Sequence, residues 1–201
     1  SRTAGDEPYM LAANLRDIPV VVDKDRVKSG KHAISELNCD TLLLDDGLQY
    51  LRLKHRLDIV LVDRWQPFGT GRLLPRGTLR EPPRNLKRAS YIFITKCTHE
   101  EPNDDLIREI RKYNRTAEII ECEHRPQYLQ DLETRDTRPL DTLEGSRVGT
   151  VSAIAVPESF EQGVEGLGAS IAATCRFMDH HRFTEQEILS FINQCVEKEV
   201  D

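Results

Sequence analysis

The sequence predicts an α/β protein built on a parallel sheet with helices on its faces, and three observations predict it. Short, near-continuous apolar runs alternate with helical patterns along the first 126 residues, as expected of strands buried on both faces. Several runs end in Asp, as at Leu44-Asp45 and Val62-Asp63. That places carboxylates at the carboxyl edge of the sheet, where open α/β folds hold ligands. A second, shorter strand–helix–strand pattern follows residue 147.

The elements follow in order. Ile18–Val22 (IPVVV) reads as a strand, Val27–Leu37 as helix-like, and Thr41–Leu44 (TLLL) as a second strand. Asp58–Val62 and Tyr91–Thr95 are further strands. A helix from about Asp104 to Tyr113 carries Leu106, Ile110 and Tyr113 on one face, and Ala117–Cys122 returns as a strand. Residues 127–146 are polar and rich in Thr, Asp, Glu and Arg, which predicts a linker or exposed hairpin between a first domain over 1–126 and a smaller α/β domain over 147–201. In the latter, Val148–Ala153 and Ser170–Thr174 read as strands flanking a helix that starts near Pro157. Thr184-Glu185-Gln186-Glu187 is a capping box opening the last helix, with Ile188, Ile192 and Val196 as its apolar face.

Composition narrows the function. The 201 residues carry a net charge of −6 and 38% hydrophobic side chains, which fits a globular chain rather than a disordered one. The acidic balance argues against nucleic-acid binding, which wants a basic face. No apolar run approaches the roughly 20 residues of a bilayer-spanning helix, and no signal peptide is evident. Five scattered cysteines without a CxxC pair predict reduced thiols rather than a zinc knuckle. The charge is uneven: residues 64–88 hold seven basic side chains and one acid, a local +6.

Four constellations carry chemistry, each with a plainer alternative left open. Asp45-Asp46-Gly47 ends an apolar run, and two adjacent carboxylates repel unless a divalent cation lies beside them; Asp also simply ends strands. The loop Arg64–Arg84 spaces Arg72, Arg76, Arg80 and Arg84 every four residues, yet Pro75, Gly77, Pro82 and Pro83 break any helix. Arginines around Glu81 suit phosphate oxygens and a metal ion together, and Gly69, Gly71 and Gly77 allow close backbone approach to a ligand; the alternative is a solvated basic loop. Gly5-Asp6-Glu7-Pro8 is either a helix start or an acidic site. Asp179-His180-His181 places a carboxylate beside imidazoles, or is a capped turn with surface histidines. Thr95-Lys96-Cys97-Thr98 is a weak match to a strand-end base reader whose Asp is missing.

Taken in order, GDEPYMLA (5–12), DKDRVKSG (23–30), LLLDDGLQYLRL (42–53), DIVLVD (58–63), PFGTGRLLPRGTLREP (67–82), VSAIAVPESF (151–160) and FMDHHRFTEQEI (177–188) resemble the tetraacyldisaccharide 4′-kinase family of lipid A biosynthesis. The resemblance implies a P-loop NTPase-like, three-layer α/β/α core with a parallel sheet. It implies a kinase that uses ATP and Mg²⁺ to phosphorylate the 4′-hydroxyl of a tetraacyl disaccharide 1-phosphate at the cytoplasmic face of the bacterial inner membrane, by peripheral contact. By motif, Asp6 is the catalytic base and His180 its partner. Asp45 and Asp46 are the Walker-B-like acids at magnesium, and Arg80 and Glu81 meet the phosphates and metal. Glu7, Arg26 and Gln49 are candidates for the substrate cleft.

Departures from the family pattern are specific. Leu48 and Tyr50 stand where Phe and His are usual, and Thr70 where Asn is. No G-x-x-x-x-G-K-[ST] occurs in the chain, whereas family members carry one ahead of GDEP. The chain therefore resembles a middle portion of such a kinase, and alone is expected to bind ATP poorly. Two other readings are weighed: a noncatalytic remnant or binding module of the same fold, and a metal-dependent phosphohydrolase using Asp45, Asp46 and His180.

Overall fold

A computed structural model describes residues 5–98, 101–179 and 181–200, and the chain divides into two compact units, residues 1–124 and 125–201. The first unit opens with helix α1 (Asp6–Asn14), whose acidic first turn suits the positive end of the helix dipole. Helix α2 (Arg26–Ser35) starts at Asp25, whose side chain accepts from the Val27 and Lys28 amides. Strands β1 (Ile59–Asp63), β2 (Tyr91–Thr95) and β3 (Glu118–Glu121) form a parallel sheet in the order β1-β2-β3. Ile59 pairs with Tyr91, and Tyr91 with Glu118. Helix α3 (Asp104–Tyr113) crosses between β2 and β3.

The core of this unit is the face of the sheet under α3. Ile92, Ile94 and Ile110 are fully buried among Val62, Leu86, Ala89, Cys97 and Ala117, with Leu106, Ile107 and Tyr113 packed against them. Asn114 is buried at the end of α3 and fully satisfied: its Nδ2 donates to the Leu86 and Ala89 carbonyls, both at 2.9 Å, and its Oδ1 accepts from the Thr116 and Ala117 amides. It thereby pins the 3₁₀ turn Pro83–Arg88 and the start of β3 to the helix. The other face of β1 presents Ile59 and Leu61, 52% and 68% exposed.

Two expected strands are absent. Ile18–Val22 and Thr41–Leu44 form no ladder among the described residues, and Val22 and Leu43 are largely exposed. An apolar run becomes a strand only when a neighbour takes its amides and carbonyls, and none does here.

The second unit begins with the short hairpin β4 (Leu129–Gln130) and β5 (Thr137–Arg138), within the segment read as a linker or hairpin. Strands β6 (Arg147–Ser152) and β7 (Ser170–Arg176) pair in parallel across helix α4 (Pro157–Gly166), and helix α5 (Glu185–Glu197) follows. Arg176 grips Glu161 through Nε and Nη2 and Glu158 through Nη1, fixing β7 to α4. The Thr184–Glu187 capping box forms in both directions.

The face of α5 differs from the expected one. Phe191 is buried and Ile188 and Cys195 are half-buried, whereas Ile192 and Val196 are 49% and 71% exposed. The aromatic ring sets the rotation of the helix, aided by Gly149: a Cβ there would lie 2.5 Å from Cys195 Sγ and 3.1 Å from Phe191 Cζ. All five cysteines are free thiols. Among the described residues, no helix is long and apolar enough to cross a membrane.

Candidate functional site

The turn after Leu44 is the centre of the site. Asp46 adopts a left-handed backbone (φ 50°, ψ 38°), and Gly47–Gln49 form a single 3₁₀ turn closed by the Tyr50 amide on the Gly47 carbonyl at 2.9 Å. Gly47 is required there, because a Cβ would lie 2.8 Å from the Leu44 Cβ. Asp45 and Asp46 are both exposed, so the doubled acid projects into solvent rather than into the core.

The segment read as LREP meets this turn. Arg80 Nη1 donates to Asp46 Oδ2 at 2.9 Å. Glu81 is held more tightly: Arg88 Nη2 lies 2.8 Å from both its oxygens, Asn85 Nδ2 donates at 2.6 Å, and the Gln49 side chain adds a further hydrogen bond. Arg88 Nη2 also donates to the Leu48 carbonyl at 3.1 Å. Burial pushes the Glu81 carboxyl up, but the hydrogen bonds from Arg88, Asn85 and Gln49 outweigh it and leave it below the ordinary carboxylate value. Asp46, Gln49, Arg80 and Glu81, far apart in the chain, therefore share one small volume.

Glu81 is expected at phosphates and metal, yet both its oxygens already accept from Arg88. Its observed work is to join the 45–49 turn to the 80–88 segment. Among the described residues, no three His, Cys, Asp or Glu side chains gather as a metal-binding group. The two exposed carboxylates Asp45 and Asp46 supply hard oxygen donors of the kind Mg²⁺ takes when substrate phosphates complete its shell, so the pair fits that ion, while Glu81 is already held by Arg88 and Asn85.

Helix α2 reaches the same turn from the other side. The Tyr50 hydroxyl donates to Asp25 Oδ1 at 3.2 Å, and Arg52 lies 3.8 Å from Asp25 Oδ2. Asp25 sits below its ordinary value, chiefly because the Lys28 amide donates to it; burial opposes this, and Val27, Tyr50 and Arg52 reinforce it. Arg26 folds its Nη1 onto the Asp23 carbonyl at 3.0 Å.

The basic loop is shaped by its own backbone. The Leu79 amide donates to the Arg72 carbonyl at 3.1 Å and the Leu74 amide to the Leu79 carbonyl at 3.0 Å. A Cβ on Gly69 would lie 2.0 Å from Thr78 Oγ1, and one on Gly77 would lie 2.2 Å from the Arg72 carbonyl. These two glycines serve loop closure. Arg72, Arg76 and Arg84 are exposed and have no ion-pair partner among the described residues. Trp65, Leu73 and Leu74 are exposed beside them, at 63%, 44% and 63%.

Asp6 and Glu7 occupy the exposed first turn of α1. His180 lies outside the described residues. Its neighbour His181, in the second unit, stacks on Phe177 with centroids 4.5 Å apart and hydrogen-bonds both Glu187 oxygens at 3.1 Å. Lys96, from the weak base-reader match, instead pairs with Asp63 at 2.6 Å. Sequence reasoning missed Arg88 and Asn85, which hold Glu81. Their i+7 and i+4 spacing from the acid, across a Pro-Pro start, was the available signal.

An acidic turn onto which Arg80 and Arg88 fold, followed in the chain by a parallel sheet with a crossing helix, defines the chain as an α/β protein. The model of the family described as tetraacyldisaccharide-1-P 4′-kinase (LpxK) matches residues 1–200, and the chain belongs to that family. It is 38% identical over 195 residues to a tetraacyldisaccharide 4′-kinase of Elusimicrobium minutum, covering 95% of this chain and 52% of the relative. It is 35% identical over 209 residues to one of Halothermothrix orenii, covering 98% and 54%. Among solved structures, the "apo" form of LpxK from Aquifex aeolicus in complex with ATP superposes with a TM-score of 0.62 at 28% identity, covering 91% of this chain and 55% of that one. That likeness agrees with the expected P-loop NTPase-like α/β fold. The chain spans about half the length of the curated relatives it matches.

Proposed function

We propose that this chain is part of a kinase that transfers the γ-phosphoryl group of ATP to the 4′-hydroxyl of a tetraacyl disaccharide 1-phosphate. The observation that carries the reading is the meeting of Asp46 with Arg80 and of Gln49 with Glu81 in a chain of this family. Phosphoryl transfer demands positioning and charge neutralisation more than covalent help. Arg80 offsets charge on the transferring group, and Asp45 and Asp46 hold Mg²⁺, which when bound neutralises the phosphate oxygens. Asp6 accepts the proton of the sugar hydroxyl at a carboxylate oxygen. Glu7, Arg26 and Gln49 line the cleft for the lipid disaccharide.

The substrate's acyl chains call for a membrane-side approach, and we place the protein peripherally at the cytoplasmic face of the inner membrane. Exposed Trp65, Leu73 and Leu74 beside unpaired Arg72, Arg76 and Arg84 support such contact, since aromatic and cationic side chains together suit an anionic headgroup surface.

The test is made on the complete gene product that includes this chain, with labelled ATP and the lipid acceptor. Label should pass to the acceptor, and Asp6→Ala should lower the rate by orders of magnitude while nucleotide affinity stays nearly unchanged. Phosphoester hydrolysis without ATP would replace this reading with a hydrolase. Normal transfer by Asp6→Ala would remove Asp6 as base.

A further inference from the structure

Tyr50 reaches a partner distant in the chain. Its hydroxyl spans 25 residues to Asp25, the residue that caps α2. Asp25 directly precedes Arg26, and Tyr50 directly follows Gln49. One hydrogen bond therefore joins the immediate neighbours of two side chains assigned to the substrate cleft.

The link continues on both sides. Arg88 and Asn85 hold Glu81, and Arg88 also takes the carbonyl of Leu48, the residue before Gln49. On the α2 side, Asp25 Oδ1 accepts from the Val27 and Lys28 amides, and the Asp25 amide in turn donates to Asp23 Oδ1 at 2.9 Å. Arg26 is folded on the Asp23 carbonyl. The series Arg26–Asp25···Tyr50 runs from α2 into the 45–50 turn, and Arg88, bonded to both the Leu48 carbonyl and Glu81, ties that turn to the LREP segment. The 45–50 turn and the start of α2 make no ladder with a sheet among the described residues. The Tyr50–Asp25 bond therefore links two segments that no sheet ladder joins.

We infer that Tyr50 is a positioning residue for the lipid acceptor: through Asp25 it sets the spacing between Arg26 and Gln49. The inference rests on the kinase reading above and extends it to a residue outside the reacting groups. Tyr50 acts at a distance from the reacting atoms. Its loss should weaken acceptor binding and leave the phosphoryl-transfer step alone, because binding lost equally in ground and transition states raises KM at constant kcat.

The test compares wild type, Tyr50→Phe and Tyr50→His in the complete gene product. Tyr50→Phe keeps the ring and removes only the donor. The KM for the lipid disaccharide should rise about fivefold, the cost of one hydrogen bond, with kcat, the KM for ATP and the melting temperature within about twofold or a few degrees of wild type. Tyr50→His, which restores an N–H donor, should recover part of the loss. In Asp25→Asn, adding Tyr50→Phe should change KM little further, since the two act through one contact. An unchanged acceptor KM in Tyr50→Phe, or a loss confined to kcat, overturns the inference. A wild-type protein with no transfer to the acceptor overturns the kinase reading itself, and the two failures are thus told apart.

Discussion

Arg80 donates through Nη1 to Asp46 Oδ2 at 2.9 Å, across 34 residues of chain, with both side chains more than half exposed. An exposed pair of this kind contributes at most about 1 kcal/mol to folding, which separates its structural weight from its chemical weight. In the proposed kinase the same guanidinium offsets charge on the transferring phosphoryl group, and the same carboxylate is one of the two assigned to the divalent cation.

Arg80→Ala should therefore slow phosphoryl transfer about 10²–10³-fold and barely move the melting temperature. Steady-state kinetics and a thermal melt on the same preparation check both halves. A lower melting temperature with unaltered kcat would make the pair purely structural.

Asn114 is a buried polar group that ties three segments of the first unit together. Asn114→Ala strands two carbonyls and two amides away from water. It should cost about 2–4 kcal/mol of stability, read from the denaturant midpoint. Asn114→Asp should cost at least as much, because a carboxylate turns lone pairs toward the Leu86 and Ala89 carbonyls. A midpoint unchanged in both variants would refute this account of the core.

Glu187 makes the start of α5 sensitive to acid. Its carboxyl is lowered from 4.5 to about 2, first by the Thr184 amide, then by the Thr184 hydroxyl and by His181. Because the folded value is the lower one, the contribution is complete above the unfolded value of 4.5 and is lost as pH falls toward 2. Helix content followed by circular dichroism should fall through that window, and Glu187→Gln should flatten the fall. An identical acid profile in Glu187→Gln would show that the cap does not govern it.

What the sequence revealed was local. The helix Asp104–Tyr113 and the strand Tyr91–Thr95 were legible residue for residue, since a 3.6-residue apolar repeat and a β-branched run each admit one reading. Ile18–Val22 and Thr41–Leu44 were not, because a strand is defined by its neighbour as much as by its own residues. The face of α5 was misread because spacing alone does not say that Phe191 outcompetes Ile192 for the surface opened by Gly149. In the site, motif order brought out Asp46 and Arg80, which the structure joins. The commitment of Glu81 to Arg88 and the reach of Tyr50 to Asp25 depend on how distant segments approach, and no pattern within one segment carries that information.

The closure of the arginine loop on itself has a consequence for recognition. Gly69 and Gly77 let residues 69–79 fold back against Thr78 and the Arg72 carbonyl, so bonds within the chain close the loop. The entropy of ordering it then falls on folding, and an anion bound by its arginines has less of that cost left to meet. Affinity there should be governed by how well the guest matches a fixed contour, and a single methyl group added at Gly77 should weaken capture of every anionic guest alike, whatever its chemistry.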